Sequence, residues 1–261
     1  MRAIPENNLG YPVLVRVSDG STGSGFYLRD EPYVYFVTAK HILFDPQSES
    51  LLGDKAQLTS YGREVNDTTK TVFDFDLRTL QPGHIATDRA RDLVVVRFLN
   101  RSSGDYQVAK GVTNLSTAKS GLVVVHRNTI RKFADVLISN PVIIFGYPVS
   151  LGLKDIPQLD YERPLLRQGI VAGKNERQGT LILDCPAYAG NSGGLVLEVE
   201  QDAGGGHYRA IGMVLQFVPA IQPWFDAKGN QAGTGVVNSG YSIATPLDVV
   251  TDLAATLPQI G

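Results

Sequence analysis

The residues with the clearest chemical potential form a glycine-rich turn around a single hydroxyl, Gly190-Asn191-Ser192-Gly193-Gly194. Apolar, β-prone runs precede and follow this turn, at residues 180–185 and 195–199. Glycine permits backbone angles that a side chain would forbid, and it lets another segment approach closely. A serine held in such a turn can present its Oγ while nearby backbone N–H groups point to one spot. The pattern therefore favours a nucleophile for acyl transfer with an adjacent oxyanion hole.

The same five residues fit the pattern Gly-x-Ser-x-Gly, which also marks the nucleophile of α/β-hydrolases. In that fold the serine stands between a strand and a helix, and the histidine of the triad comes last in the chain. Here a strand-like run follows Ser192, and the only later histidine is His207, beside the glycines at 204–206. An α/β-hydrolase esterase is therefore the weaker interpretation. A glycine-rich turn with a solvated serine is the other alternative that the motif alone leaves open.

The composition is typical of an ordered globular protein. The chain has 261 residues, of which 43% are hydrophobic and 19% are charged, and its net charge is −2. This length can supply one large domain or two modest ones with real cores. No run of Lys or Arg stands out and no apolar run approaches the length of a membrane span. We therefore expect neither a nucleic-acid partner nor a membrane partner.

The cysteine and histidine content bears on cofactors and compartment. Cys185 is the only cysteine, so an internal disulfide is impossible, and the four histidines are too scattered for a zinc site. The first eight residues lack the apolar core of a signal peptide. We expect a cytoplasmic protein that needs no metal or cofactor. A secreted or periplasmic chain from which a signal peptide had been removed would read the same.

The spacing of apolar runs predicts an all-β protein. Six runs in the first half have strand character: residues 11–17, 23–28, 33–38, 56–61, 70–77 and 93–98. Seven runs in the second half do: residues 122–126, 141–147, 165–172, 180–185, 195–200, 208–217 and 241–244. The looser residues 99–120 read as a linker. Pro246 and the apolar spacing after it predict a C-terminal helix over residues 246–257, with Thr245 as its N-cap.

Three motifs follow one another in an order that is typical of a known family. Thr38-Ala39-Lys40-His41, Asp92-Leu93-Val94-Val95-Val96 and the Ser192 turn resemble the histidine, aspartate and serine segments of chymotrypsin-like serine proteases. The best resemblance is to the bacterial trypsin-like and high-temperature-requirement peptidase domains, without the PDZ domain of the latter. Further matching segments are Gly23-Ser24-Gly25-Phe26, Phe145-Gly146-Tyr147-Pro148, Gly169-Ile170-Val171, Ile211-Gly212-Met213 and Tyr241-Ser242-Ile243-Ala244-Thr245-Pro246.

The resemblance implies two six-stranded antiparallel β-barrels with the active site in the cleft between them. The first barrel would span residues 11–110 and carry His41 and Asp92. The second would span residues 121–261 and carry Ser192 and the C-terminal helix. This is the arrangement that the order His, Asp, Ser implies, with spacings of 51 and 100 residues.

The family also implies a role for each of these residues. Ser192 would be the nucleophile, His41 would take and return its proton, and Asp92 would orient the imidazole. The backbone N–H groups of Gly190 and Ser192 would form the oxyanion hole. Asp88 is a nearby competitor for the acidic role, but no apolar run follows it directly.

Two departures from the family pattern carry expectations of their own. Asn191 stands where zymogen-activated members have the Asp that pairs with a new N-terminal ammonium, so activation by that route is not expected. Leu215 stands where many members have a Ser that hydrogen-bonds the catalytic carboxylate. Asp92 must then be held by backbone N–H groups or by other side chains.

The substrate pocket is expected just before the nucleophile and on the strand after it, where the family places it. The residues are Ala187, Tyr188, Ala189, Leu215, Gln216 and Phe217. No acid lies in the expected floor, which disfavours Arg or Lys as the preferred residue, although Asp184 is close in sequence. The segments 149–163 and 218–239 read as long loops that border the site or as plain insertions.

The sequence therefore predicts a serine endopeptidase that acts on protein or peptide substrates, with a monomer as the favoured state. The alternative is a catalytically silent pseudoprotease that binds peptides or a partner protein. Occupation of all three triad positions favours the enzyme over the binding module.

Overall fold

The structure is a computed structural model that describes residues 6–62, 69–102, 105–116, 121–148, 156–202 and 205–258. Strands dominate, and short 3-10 turns lie at Glu6–Gly10, Leu77–Thr79, Arg127–Thr129 and Phe133–Asp135. The two α-helices of this part of the chain are too short and too polar to cross a lipid bilayer. The prediction of an all-β fold with two barrel-like sheets and a C-terminal helix is confirmed.

The first sheet contains ten strands. They are β1 (Pro12–Val17), β2 (Thr22–Asp30), β3 (Tyr33–Ala39), β4 (Lys55–Tyr61), β5 (Lys70–Asp76), β6 (Ile85–Asp88), β7 (Leu93–Ser102), β8 (Asp105–Val108), β9 (Val112–Asn114) and β10 (Val125–His126). The main order is β6-β7-β3-β2-β1-β4-β5-β9. The six runs predicted for the first half are β1 to β5 and β7, and the other four strands are short additions.

The short strands correct two expectations. Residues 99–116, predicted as part of a linker, continue β7 and supply β8 and β9, while 117–120 lie outside the described residues. The run at 122–126 supplies only β10, which pairs in parallel with β2 of the first sheet and not with the strands of the second half. Both errors arise because edge strands of two to four residues carry too few residues for a periodic pattern.

The second half forms a closed barrel in the order β11-β12-β13-β16-β15-β14. Its strands are β11 (Pro141–Gly146), β12 (Leu165–Asn175), β13 (Thr180–Asp184), β14 (Leu195–Asp202), β15 (Gly205–Phe225) and β16 (Gln231–Pro246). β15 and β16 are far longer than predicted, because most of the expected loop at 218–239 is a two-stranded extension. The segment 149–155 of the other expected loop lies outside the described residues.

Two helices complete the fold. Helix α1 (Lys40–Leu43) follows β3 directly, and helix α2 (Leu247–Ala255) follows β16. The N-cap of α2 is Pro246 and makes no side-chain cap bond, while the hydroxyl of Thr245 donates to the carbonyl of Arg91 at 3.2 Å. The prediction of Thr245 as N-cap is therefore wrong by one residue.

Buried apolar side chains form two clusters: a large one with members from both halves, and a smaller one inside the second barrel that includes Val142, Leu183 and Ile211. Inside the first sheet, the Phe98 ring packs 5.1 Å from that of Tyr27 and 5.0 Å from that of Phe73. The buried face of α2, with Leu247 and Val250, joins this cluster and contacts β6 and β7. The C-terminal helix therefore packs the end of the second half of the chain against the first sheet.

Candidate active site

The pairing of β3 with β7 brings the predicted histidine and aspartate together. Ala39 at the end of β3 lies opposite Leu93 at the start of β7, because the apolar runs of these two strands pair across the core. His41 follows two residues after Ala39 in α1, and Asp92 immediately precedes Leu93. The backbone N–H of Lys40 donates to the carbonyl of Asp92 at 2.9 Å and closes the junction.

His41 and Asp92 are directly bonded through their side chains. The Nδ1 atom of His41 is hydrogen-bonded to Oδ2 of Asp92, and the backbone N–H of His41 donates to Oδ1 at 2.8 Å. The two side chains are 37% and 30% exposed. Asp92 has φ of +47°, a strained conformation for a non-glycine residue of the kind that clusters at functional sites. The backbone N–H of His41 therefore holds the Asp92 carboxylate, which is one of the two means expected where Leu215 replaces a serine.

Asp88 has a different role. Its carboxylate accepts hydrogen bonds from the side chain of Arg91 at 2.7 Å and from the Arg91 backbone N–H at 3.1 Å. These bonds lower the pKa of Asp88 against the raising effect of its partial burial. Asp88 thus stabilises the turn that leads to Asp92 and does not contact His41.

Ser192 stands on a tight turn between β13 and β14, and the strand that follows it excludes the α/β-hydrolase arrangement. The N–H of Asn191 donates to the carbonyl of Tyr188 at 2.9 Å, and Gly190 has φ of +93°. A positive φ at the third position of such a turn is the signature of type II. Within the described residues, the backbone N–H groups of Gly190 and Ser192 have no acceptor. Two donors are thus available beside the Ser192 hydroxyl.

The side chain of Asn191 is buried and hydrogen-bonds the backbone of this turn. Its Oδ1 accepts a hydrogen bond from the backbone N–H of Tyr188 at 2.9 Å. Asn191 is only 1% exposed, so this bond satisfies an acceptor that would be costly to leave unpaired. The Asn191 amide therefore holds the turn through a hydrogen bond within the turn itself, without an ion pair.

Ser24 is a site residue whose role the sequence analysis missed. Its hydroxyl donates to the carbonyl of Gly190 at 2.6 Å and accepts from the N–H of Tyr147 at 2.9 Å. Its backbone N–H donates to the carbonyl of Ser192 at 2.9 Å. Ser24 belongs to β2 of the first sheet, so it ties the nucleophile turn of the second half to the half that carries His41. The Gly-Ser-Gly-Phe motif drew attention to this segment, but it does not indicate that Ser24 bonds Gly190, 166 residues further along the chain.

Gly193 allows the close contact between Ser24 and the turn. It has φ of +83°, and a Cβ built there would lie 2.0 Å from the carbonyl oxygen of Ser24 and 2.6 Å from Oγ1 of Thr38. The Thr38 hydroxyl in turn donates to that carbonyl at 2.7 Å. This glycine is required for both its backbone angle and the space it leaves.

His41, Asp92 and Ser192 line one open cavity of about 500 Å³. No hydrogen bond joins the His41 ring to the Ser192 hydroxyl among the contacts of the described residues. All six residues predicted for substrate binding also line the cavity: Ala187, Tyr188, Ala189, Leu215, Gln216 and Phe217. The sequence-predicted residues thus share one concave site.

The charges around the cavity leave no free acid in its apolar part. Asp184 is exposed and is not among the lining residues. Asp45 lines the rim, where its carboxylate accepts the N–H groups of Gln47 at 3.0 Å and Ser48 at 2.6 Å, and these bonds lower its pKa. The guanidinium of Arg167 lies 4.2 Å from the Tyr188 ring and braces that side of the wall.

Residues 23–203, more than half of the chain, match the family model of the trypsin-like peptidase domain. The chain belongs to the trypsin-like peptidase family. His41, Asp92 and Ser192 all lie within the matched segment. No curated protein sequence matches the chain significantly.

Solved structures with the same fold are HtrA-type and Deg proteases. Deg5 has a TM-score of 0.53 at 16% identity, with 94% of this chain and 88% of Deg5 covered. The serine endoprotease from Yersinia pestis has a TM-score of 0.52 at 16% identity, with 96% and 66% covered. The HtrA-type protease AlgW with a decapeptide has a TM-score of 0.52 at 15% identity, with 98% and 66% covered. The trypsin-like chain spans just under two thirds of the Yersinia protein, and the likeness shows a shared fold.

Proposed function

We propose that this chain is a serine endopeptidase that cleaves peptide bonds through an acyl-enzyme. The observation that carries the proposal is the single cavity that holds a bonded His41–Asp92 pair and Ser192 on a turn with two free N–H donors. Each part has a distinct task in acyl transfer, and the family match makes that chemistry the expected one.

The reaction follows from the positions of these groups. Ser192 Oγ attacks the carbonyl carbon of the scissile bond as Nε2 of His41 takes its proton. The negative charge moves to the carbonyl oxygen, where the N–H groups of Gly190 and Ser192 stabilise it. The imidazolium then protonates the leaving amine, the C–N bond breaks and an ester on Ser192 remains. A water molecule, deprotonated by His41, hydrolyses that ester and restores the serine.

Asp92 makes His41 suitable for this task. Its bond to Nδ1 fixes the tautomer in which Nε2 is free to accept a proton, and its charge stabilises the imidazolium. The missing bond between His41 and the Ser192 hydroxyl does not oppose this role, because catalytic hydrogen bonds without substrate are often long and tighten in the complex.

We further propose that the enzyme needs no activating cleavage. The turn that carries Gly190 and Ser192 already leaves both oxyanion donors free, and Asn191 satisfies its own side chain within the turn. No buried charge in the turn awaits an N-terminal ammonium. The chain should therefore be active without a proteolytic cut.

The cavity favours a small or medium apolar side chain at the residue before the scissile bond. Ala187 and Leu215 line it, and Phe217 narrows it. A basic side chain would bring a charge into a site whose rim acid, Asp45, is already bonded to backbone N–H groups. Because a mismatched methylene costs only about 1–3 kcal/mol, the preference should be graded.

A peptide-library digestion tests this function. The full chain and its Ser192→Ala variant are incubated with a mixed-sequence peptide library and with unfolded casein, and the cleavage sites are read by mass spectrometry. We expect cleavage after Ala, Val or Leu by the wild type alone. A binding module without activity would leave both substrates intact, and a profile dominated by Arg or Lys would contradict the assignment of the pocket.

A further inference from the structure

The most unusual surface of this protein is an extension of the second barrel beside the cavity. The pairing of β14 with β15 stops at Met213, whereas β15 and β16 remain paired with each other as far as Phe225 and Gln231. We call the residues 219–238 the ribbon: two antiparallel segments, 219–225 and 231–238, joined by a turn. Among the described residues, no third strand pairs with the ribbon.

Both faces of the ribbon carry solvent-exposed apolar side chains. Ile221 and Val236 lie directly opposite each other and are 76% and 72% exposed. On the opposite face, the Trp224 ring lies against Gly235 and is 60% exposed. Phe225, at the tip of the ribbon, is 62% exposed. A two-stranded ribbon is marginally stable in water, and exposed apolar patches of this kind mark interaction sites.

The charge on the ribbon is confined to its tip. Asp226 and Lys228 are the only charged residues between 219 and 238. The Asp226 carboxylate accepts the backbone N–H groups of Lys228 and Asn230 at 2.8 Å, so it serves to close the turn. The strands therefore offer apolar contact area without a charged partner, which suits an apolar ligand and not a charged one.

The ribbon is continuous with the candidate active site. Phe217 lines the cavity that contains Ser192, and the ribbon begins two residues later on the same strand. Ile221 is six residues beyond Leu215, which places it about 20 Å along the strand at the usual rise. A polypeptide whose carbonyl is attacked by Ser192 can thus reach the ribbon with its acyl side, roughly six residues before the scissile bond.

Prolines argue against a second copy of this chain as the occupant. Pro219 and Pro223 lie within β15 of the ribbon, and each lacks a backbone N–H donor. Prolines on an edge strand are a common means of preventing edge-to-edge pairing. The ribbon is therefore built to bind through its side chains, and a ligand that already enters the cavity is the partner nearest to them.

We propose that the ribbon is an exosite that binds apolar residues of an extended polypeptide substrate, roughly six to nine positions before the scissile bond. The proposal rests on the endopeptidase function proposed above. A folded protein buries such segments and cannot present them in extended form. The substrate class is therefore unfolded or flexible polypeptide with an apolar stretch upstream of the cleaved bond.

Two quenched fluorescent peptides test the proposal. They share the residues around one cleavage site and differ only in an upstream segment, rich in Leu, Val and Phe in one and in Ser and Gly in the other. For the wild type we expect kcat/KM to be at least about tenfold higher for the apolar peptide. In the Ile221→Ser/Val236→Thr variant the ratio should fall to about one, with the rate on the polar peptide unchanged. Ile138→Ser, at an isoleucine that is 56% exposed elsewhere, is the matched control and should keep the wild-type ratio.

A second readout does not need catalysis. Trp224 is the only tryptophan of the chain, so its fluorescence reports on the ribbon alone. In the Ser192→Ala variant, the apolar peptide should shift the emission of Trp224 to the blue in a saturable way, and the polar peptide should not.

The outcomes separate this inference from the proposed function. Equal kcat/KM for the two peptides, or an emission that the apolar peptide does not move, overturns the exosite while peptide cleavage still supports the enzyme. A blue shift that grows with protein concentration alone, together with a dimer in sedimentation, overturns it in favour of self-association. If neither peptide is cleaved, the proposed function fails, and the Trp224 titration still decides whether the ribbon binds apolar polypeptide.

Discussion

At the scale of single residues, Ser24 connects the two halves of the candidate site. Its hydroxyl and backbone N–H bond the carbonyls on either side of Asn191, so its removal frees the nucleophile turn from β2. For Ser24→Ala we expect kcat on a peptide substrate to fall about 10- to 100-fold with KM nearly unchanged, because misplaced oxyanion donors weaken transition-state binding. Steady-state kinetics measures both constants.

Ser21→Ala is the control for this prediction, since the Ser21 hydroxyl bonds only the nearby Asp19. Its kinetics should match the wild type. If Ser24→Ala raised KM with an unchanged kcat, Ser24 would contribute to substrate binding and not to the geometry of the turn.

Gly193 permits a second test with a closely matched control. Gly193 and Gly229 have φ of +83° and +82°, but a Cβ at Gly193 would lie 2.0 Å from a backbone oxygen, whereas a Cβ at Gly229 would have no neighbour within 4 Å. Gly229→Ala should lower the free energy of unfolding by about 1–2 kcal/mol through backbone strain alone. Gly193→Ala should cost at least about 2 kcal/mol more through steric overlap. Urea denaturation measures both, and equal losses would contradict the packing described around Ser24.

Short motifs predict His41, Asp92 and Ser192, and these three residues line one cavity. Their catalytic roles stay a prediction. Leu215 indicated that backbone N–H groups or other side chains would hold the Asp92 carboxylate, and the His41 N–H is one such partner. The contacts of Ser24 could not be foreseen, because a hydrogen bond between residues 24 and 190 depends on how two sheets pack. The residue types near Ser24 in sequence do not reveal how close Ser24 and Gly190 lie in the fold.

At the scale of secondary-structure elements, a buried ion cluster fixes the segment that leads into β11. Glu198 on β14 is fully buried and accepts hydrogen bonds from Arg131 at 2.7 Å and Asn140 at 3.0 Å. Arg131 also bonds the carboxylate of Glu200 at 2.6 Å and lowers its pKa. Arg131→Met would leave the Glu198 charge buried and unpaired, so it should lower the free energy of unfolding by about 3–5 kcal/mol.

Two further variants make this prediction specific to the buried charge. Glu200→Gln removes a partly exposed partner and should cost less than about 1 kcal/mol. The double variant Arg131→Met/Glu198→Gln buries no charge and should recover part of the loss. An Arg131→Met protein with wild-type stability in urea would contradict the role given to Glu198.

The regular elements were predictable where apolar and β-prone residues form a continuous run, as in β3 and β7, or alternate with polar ones, as in β5. This holds for β1 to β5 and β7. It fails for β6, β8, β9 and β10, which are short, and for the ribbon, whose prolines and glycines are typical of loops. The ribbon forms because two segments separated by the five residues 226–230 pair with each other, and the Asp226 carboxylate closes the turn between them.

At the scale of the whole molecule, Cys185 reports on the integrity of the second barrel. Its side chain is fully buried, and burial raises the pKa of the thiol to about 11. At pH 8, three units below that value, only about one thiol in a thousand is ionised. Iodoacetamide should therefore alkylate native protein far more slowly than protein unfolded in urea. Rapid alkylation under native conditions would contradict the closed packing of this barrel.

His41 and Asp92 from the first half of the chain line the same cavity as Ser192 from the second, and we propose that the three act together. Labelling with a fluorophosphonate probe, with the modified residue mapped by mass spectrometry, tests this arrangement, because the probe reacts with a serine only when a base and an oxyanion hole activate it. We expect native protein to be labelled at Ser192 alone, without prior cleavage, and Ser192→Ala and His41→Ala to remain unlabelled. Unlabelled wild-type protein, or labelling that persists in His41→Ala, would contradict it.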